Sequence, residues 1–456
     1  MTTNSRDGSL QALERLIAEG KVDEVEAYLE RIPTDARIYW LGQLPPDLAA
    51  ALLELLSDSR SELAAILIEH LLDSQAADVI SMLPPEAAAA IVEAMDSDDR
   101  ADIVAELDDE QSSAILSHLP PVAAEETRRL ASYAPHSAGG LMITEYLAHP
   151  MNQTISDVLQ DLRANASDYA RYDVQYVYVT DAARVLVGVI RLRDLVLSPG
   201  EQRISEIMIA NPAHVRVDDE GERLQAFFDE HAFFAAPVVD DGGRLVGVLR
   251  RAAVQAARAE RADRALLAFG GIIGGEELRS MPMGTRTLRR LAFLGPNILL
   301  NLVAASVVAL YEPTIAAVTA LAIFLPMLSD MSGCAGNQAV AVSIRELSLG
   351  LLRPRDLWLA LRKEIGLGAI NGAVLGGLIG AIAWLMRGGQ WPLIGVVVGG
   401  AMAMNSVVAV AIGGTVPLLL KRLGVDPALA ASPILTTFTD LCGFFLTLKL
   451  ATVLLL

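Results

Sequence analysis

The chain has 456 residues, enough for two or three domains, and is 53% hydrophobic and 20% charged with a mean hydropathy of +0.40, which is too apolar for an ordinary soluble protein. Its formal net charge of −19 is unevenly divided: from Arg286 onward twelve bases face seven acids, about +5, leaving 24 bases and 48 acids, a net of −24, in residues 1–285. No nucleic-acid partner is expected, no GxxxxGK[ST], HExxH or GxSxG signature is present, and the two cysteines, Cys334 and Cys442, have neither disulfide-framework nor zinc spacing.

The first stretch, MTTNSRDGSLQALERLIAEG, lacks the apolar core of a signal peptide, so the N-terminus is expected in the cytoplasm. Residues 1–132 read as an acidic all-helical domain, Ala- and Leu-rich at 3.6-residue spacing. An LPP triplet recurs at Leu44, Leu83 and Leu119, each suited to a helix start. Gaps of 39 and 36 residues fit paired helices stacked as a small superhelix. Between the second and third triplets lies the densest run of acids, Asp96, Asp98, Asp99, Asp102, Glu106, Asp108, Asp109 and Glu110. A solvated face explains such a run, and a hard-cation site needs the same supply of oxygens.

From about residue 138 the pattern turns to short β-rich runs between helices. VQYVYVTDAARVLVGVIRLRDL, from Val174 to Leu195, is repeated by AAPVVDDGGRLVGVLRRAAV, from Ala235 to Val254, with Gly188 falling on Gly247. This duplicated β-α-β-β-α unit resembles a tandem CBS pair, placed at 133–200 and 201–253, with Ser137 to Met142 and Ile204 to Met208 where the units begin. CBS pairs often hold adenine nucleotides through an Asp six residues after the glycine. Asp194 fills that place in the first unit, whereas the second has Ala253 and the usual Ser/Thr is Arg191. ATP is therefore a candidate cofactor at the pair. Residues 254–285 follow as a connecting, plug-like helix and a Gly-rich junction.

Residues 286–456 carry five apolar spans, at about 291–311, 313–335, 365–386, 392–420 and 432–456. Ten bases flank them on one side, against Arg387 and Lys449 on the other, which orients the N-terminus inside and the C-terminus outside a multi-pass cytoplasmic-membrane protein. In the second span Pro326, Gly333 and Gly336 weaken a regular helix, while Asp330 and Asn337 offer oxygens, so broken backbone lining water is expected there. Gly372, Gly376 and Gly377, with Gly395, Gly399 and Gly400, read as close helix packing.

The last span holds one carboxylate, Asp440. Inserting it costs about 2.5–3.5 kcal/mol, so it should face protein, water or a cation. Thr436, Thr437, Gly443 and Thr447 share its face at helical spacing, which predicts one wet stripe.

Pro326 with Gly333-Cys-Ala-Gly-Asn-Gln338 and Arg345, Asp426-Pro-Ala428, and Ser432-Pro-Ile-Leu-Thr-Thr-Phe-Thr-Asp-Leu-Cys-Gly443 resemble the MgtE family of magnesium channels, as does the domain order along the whole chain. The resemblance implies a multidomain membrane protein: an all-α superhelical N-domain, an α/β tandem CBS pair, a connecting helix and a five-helix transmembrane domain, assembled as a homodimer in the lipid bilayer. It implies transport of hydrated Mg²⁺ past Asp440 and Thr436 in the pore, with Asn337 and Asp330 nearby. Regulatory Mg²⁺ closing the channel would involve Asp96, Asp99, Asp240, Glu62 and Gly140. Where the family places acids after the second CBS unit, this chain has Arg250, Arg251, Arg258, Arg261 and Arg264, so closure by cytoplasmic Mg²⁺ is expected to be weaker. Two other readings stay open: transport of another divalent cation such as Ca²⁺ or Co²⁺, and a CBS-containing membrane sensor.

Overall fold

The computed structural model describes residues 3–33, 37, 40–42, 44–69, 71, 73–172, 175–272, 277, 281, 283–386 and 392–456. Arg387 and residues 273–276 of the Gly-rich junction lie outside them. The chain divides into two compact units, Met1–Ala259 and Glu260–Leu456.

The first unit opens with short helices whose starts are set by proline. Pro45, Pro84 and Pro120 sit at the N-caps of the helices Pro46–Ser57, Pro85–Glu93 and Pro121–Ala131, with ψ near 140°. The second proline of each LPP triplet then takes the first helical position, where its missing N–H is no loss. Helices pack on neighbours two or three places along: Pro46–Ser57 on Asp73–Ile80 and Pro85–Glu93, and Pro85–Glu93 on Asp109–His118. That stagger makes the superhelix. Leu53, Leu56, Ile68, Ile80 and Ile91, all fully buried, form part of its core, each contributing about 1.5–3 kcal/mol of burial.

Two four-stranded sheets follow, in the orders β2-β3-β4-β5 and β1-β8-β7-β6. The strands are β1 (Met142–Ile143), β2 (Leu147–Pro150), β3 (Tyr176–Thr180), β4 (Leu186–Arg191), β5 (Ile209–Ala210), β6 (Val215–Arg216), β7 (Ala235–Val239) and β8 (Leu245–Arg250). The duplication seen in sequence is real, but its boundary at 200/201 is not a boundary of the sheets. β1, from the first repeat, pairs with β8 of the second, and β5, from the second, pairs with β4 of the first. The glycines that align in sequence explain the exchange: a β-carbon on Gly188 would lie 2.8 Å from Met208 Cγ, and one on Gly247 2.7 Å from Met142 Cγ. Each repeat lends a methionine to the glycine of the other.

In the second unit the long helices are Met283–Leu310, Leu321–Ser348, Leu357–Met386, Pro392–Arg422 and Pro427–Leu454, with the short helix Glu312–Ala317 between the first two. Among the described residues four helical segments are long and apolar enough to cross a membrane: Met283–Leu310, Pro354–Met386, Pro392–Arg422 and Pro427–Leu454. Leu321–Ser348 has the length, 28 residues, but carries too many polar groups to pass that measure. It lies instead in the interior, packed on Pro392–Arg422 and Pro427–Leu454. The expected break in this span is also absent, because Pro326, Gly333 and Gly336 all lie within one continuous helix. The interruption falls earlier, between Ala317 and Leu321. Gly336 serves packing, since a β-carbon there would meet Leu435 Cδ1 at 2.7 Å and the Ala409 carbonyl at 3.0 Å.

Pro392–Arg422 is the most buried of the four apolar spans, a central helix packed on Leu321–Ser348, Leu357–Met386 and Pro427–Leu454. Its glycines meet those of Leu357–Met386 back to back: a β-carbon on Gly380 would sit 2.6 Å from the Gly395 carbonyl oxygen, and one on Gly395 2.6 Å from that of Gly380. Gly372, Gly376 and Gly399 are equally closed, whereas Gly377 and Gly400 face open space and take no part.

Candidate functional site

The helix bearing Asp440 starts five residues before the apolar run does. Asp426 is its N-cap and accepts a hydrogen bond from Ala428 N at 2.9 Å, with Pro427 in the first turn. Asp440 is thus thirteen residues in, about 20 Å along a 28-residue helix. It is half-buried, and the Ser329 hydroxyl, from Leu321–Ser348, donates to its Oδ1. Among the described residues no Lys or Arg pairs with it. A carboxylate at this depth with a hydroxyl partner and no counter-charge is costly to bury, and a cation beside it would offset that cost.

The face around it is only partly the wet stripe that the spacing predicts. Thr436 is half-buried, its hydroxyl donating to the Ser432 carbonyl at 3.0 Å. Gly443 and Thr447 belong to a buried packing ridge with Leu435, Thr439 and Ala451. The reason is the four-residue ridge of one helix fitting the groove of its neighbour, here with Asn405 pressed against Gly443. Asp330 is exposed, and Asn337 is half-buried with its Oδ1 enclosed and unpartnered. Neither shares a hydrogen bond with Asp440. Ser329 and Asn405, which border Asp440, show in the sequence only as polar residues within apolar runs, each followed by a second, Asp330 and Ser406.

A second constellation lies in the first unit, where one carboxylate oxygen from each of Asp96, Asp98 and Asp99 falls within 4.8 Å of the others. Asp96 stands at the N-cap position of the helix Ser97–Glu106 without a capping hydrogen bond, and the other two occupy its first turn. Arg250, at the end of β8, spans them: Nη1 donates to Asp96 Oδ2 and Nη2 to Asp98 Oδ2, both at 2.9 Å. Burial raises the Asp98 carboxyl against the pull of Arg250. Burial, reinforced by Asp98, Glu69 and Asp96, pushes Asp99 up to about 8.

The other expected regulatory residues are placed differently. Glu62 is exposed at a helix start, and Glu69 is the acid whose field reaches Asp99. Asp240 spends its Oδ1 on the backbone N–H groups of Gly242 and Arg244, at 2.8 and 2.9 Å, closing the β7–β8 turn. Its role is local. Gly140 is buried and packs against the Ala134 and Pro135 backbone, leaving no room for a side chain.

A cleft of about 790 Å³ in the CBS pair is lined by Tyr176, Tyr178, Arg191, Arg193, Phe233 and Phe234 among others. Asp194 is not in its lining, and its Oδ1 instead accepts Arg193 Nε and Nη2 at 3.1 Å. The residue chosen for a ribose is engaged by its neighbour, while the adjacent arginines face the cleft.

Residues 325–450 match the family profile MgtE, described as a divalent cation transporter, residues 59–136 the MgtE intracellular N domain, and residues 204–260 the CBS domain. The chain is 34% identical to "Magnesium transporter MgtE" of Thermus thermophilus over 74% of both chains. It is 27% identical to the Bacillus subtilis protein of the same name over 98% of this chain and 95% of that one. A solved structure described as the cytosolic domain of the Mg²⁺ channel MgtE in complex with ATP is 30% identical, covering 54% of this chain and 99% of that one with a TM-score of 0.49. A profile over the membrane helices, another over the acidic helical domain, and a relative above 30% identity across three quarters of its length place the chain in the MgtE family of divalent cation transporters.

Proposed function

We propose that this chain is a magnesium transporter whose ion passes Asp440, in a homodimer that presents two such carboxylates across a two-fold axis. The observation that carries the reading is Asp440 itself, midway along an apolar helix, hydrogen-bonded by Ser329 and without a cationic partner among the described residues. The relatives named as magnesium transporters supply the cargo. Mg²⁺ sheds water reluctantly and is usually held by one or two carboxylates with much of its hydration shell kept. Two Asp440 side chains offer −2 against the ion's +2, so one acid per subunit suffices. The clustered bases on one side of the spans orient the acidic unit to the cytoplasm and the C-terminus outward.

The acidic unit is read as the regulator. Cations gathered by its carboxylates favour the closed state, and Arg250, already set between Asp96 and Asp98, does part of that work without a metal. A phosphate-bearing nucleotide at the CBS pair would be met by Arg191 and Arg193 in the cleft rather than by Asp194.

Mg²⁺ flux into proteoliposomes tests the pore assignment, with Ca²⁺ and Co²⁺ as competitors. Asp440→Asn, which keeps shape and removes charge, is expected to lower flux by more than the roughly ten- to hundredfold that losing a group behind a metal ligand costs. Undiminished flux in Asp440→Asn would refute the assignment. Preference for Ca²⁺ over Mg²⁺ in the unmodified chain would favour the other divalent reading.

A further inference from the structure

We propose that Asn405 is a positioning residue for the ion site, fixing the helices of Ser329 and Asp440 against each other from behind. The inference rests on the reading of Asp440 as the ion's carboxylate. Asn405 is fully buried near the middle of Pro392–Arg422. Both hydrogens of its amide are used: Nδ2 donates to Ser332 Oγ at 2.7 Å and to the Thr439 carbonyl at 3.0 Å.

The two acceptors are significant by their places. Thr439 immediately precedes Asp440. Ser332 lies one turn beyond Ser329, and its hydroxyl contacts the Leu328 carbonyl at 2.5 Å and the Ser329 carbonyl at 3.2 Å. One amide therefore ties the turn that carries Ser329 to the turn that carries Asp440, across the central helix. Gly443 makes this possible, since a β-carbon there would fall 2.7 Å from Asn405 Nδ2.

The arrangement leaves Asn405 Oδ1 enclosed without a partner. A buried acceptor without a donor opposes stability, and an apolar side chain in the same place would carry no such orphan. A residue kept for helix packing alone has no need of an amide here, whereas one that must grip two neighbouring helices through donors does. The grip fixes how far Asp440 projects and how it meets Ser329, so its loss changes how well the site fits its ion.

The experiment is concentration-dependent flux of the full-length protein in proteoliposomes for Asn405→Ala, Ser332→Ala and Asp440→Glu, with Ca²⁺ as competitor. Positioning residues behind metal ligands typically cost about ten- to a hundredfold in affinity when removed. Asn405→Ala is therefore expected to raise the half-saturating Mg²⁺ about tenfold and to weaken discrimination against Ca²⁺. A merely structural role would lower maximal flux and leave half-saturation and discrimination unchanged, which would overturn the proposal. Should Asn405→Ala fail to fold, Ser332→Ala, which keeps the bond to Thr439, carries the same test with a smaller shift in the same direction. Asp440→Glu keeps the charge and moves it by one methylene, so it separates the two ideas. If it too leaves half-saturation and discrimination unchanged, the reading of Asp440 fails and this inference with it. If it shifts them and Asn405→Ala and Ser332→Ala do not, only the role of Asn405 is refuted.

Discussion

Asp99 shows what a carboxyl does beside two acids that hold the nearby guanidinium between them. Its folded-state affinity for a proton lies at about 8, against 3.8 for an ordinary aspartate, because burial and the fields of Asp98, Glu69 and Asp96 all disfavour its charge. The folded state thus keeps a proton the unfolded chain has lost. Its stabilising contribution is complete below the ordinary aspartate range and disappears as pH rises through 8. Thermal unfolding of the full-length protein in detergent and chelator is expected to shift downward from about pH 4 to 8 and level off above, and Asp99→Asn to flatten that slope. An unchanged slope in the variant would place the titration elsewhere. Little of this was legible in sequence, which showed a run of acids but not which would be buried together. Arg250 and Asp96 are 154 positions apart, and nothing local links them. Asp440 was legible because a lone carboxylate in an apolar run is conspicuous at any distance from its partners. Asp240 stands in an Asp-Asp-Gly-Gly context that is a turn signal, and the turn takes up its Oδ1.

At the level of elements, small residues matter by the side of the helix they occupy. Gly377 and Gly380 lie on the same helix, but only Gly380 meets a facing backbone. Gly380→Ala is therefore expected to destabilise by about 2 kcal/mol through overpacking, while Gly377→Ala is neutral or slightly stabilising because alanine favours helix. Thermal unfolding of the two variants side by side checks this, and equal effects would contradict the packing described. Helix existence in the last two spans and the proline-set starts of the first domain were readable, because local spacing and N-terminal chemistry decide them. The continuity of Leu321–Ser348 was not, since interior packing on two neighbours outweighs the weak propensities of Pro326, Gly333 and Gly336.

Over the whole molecule the charge division, −24 before Arg286 and about +5 after it, falls 26 residues beyond the division between the two compact units at Ala259 and Glu260, so the first unit holds most of the acidity. Arg250 gives that acidity a permanent internal counter-ion, which leaves less for a metal to neutralise. Flux measured against internal Mg²⁺ is accordingly expected to decline shallowly in the unmodified chain and more steeply in Arg250→Asp, which restores an acid to the cluster. Steep shut-off at low millimolar Mg²⁺ in the unmodified chain would contradict this.

The exchange of β1 and β5 between the two sheets bears on how such a protein can be taken apart. The repeats look like interchangeable modules, yet each completes its sheet only with a strand borrowed from the other. Severing the chain at residue 200 would release two fragments, each exposing an unpaired sheet edge and each missing the methionine that fills its glycine notch. Such edges recruit other strands, so the fragments would seek each other or aggregate. The duplicated segment is inheritable as two copies but usable only as one.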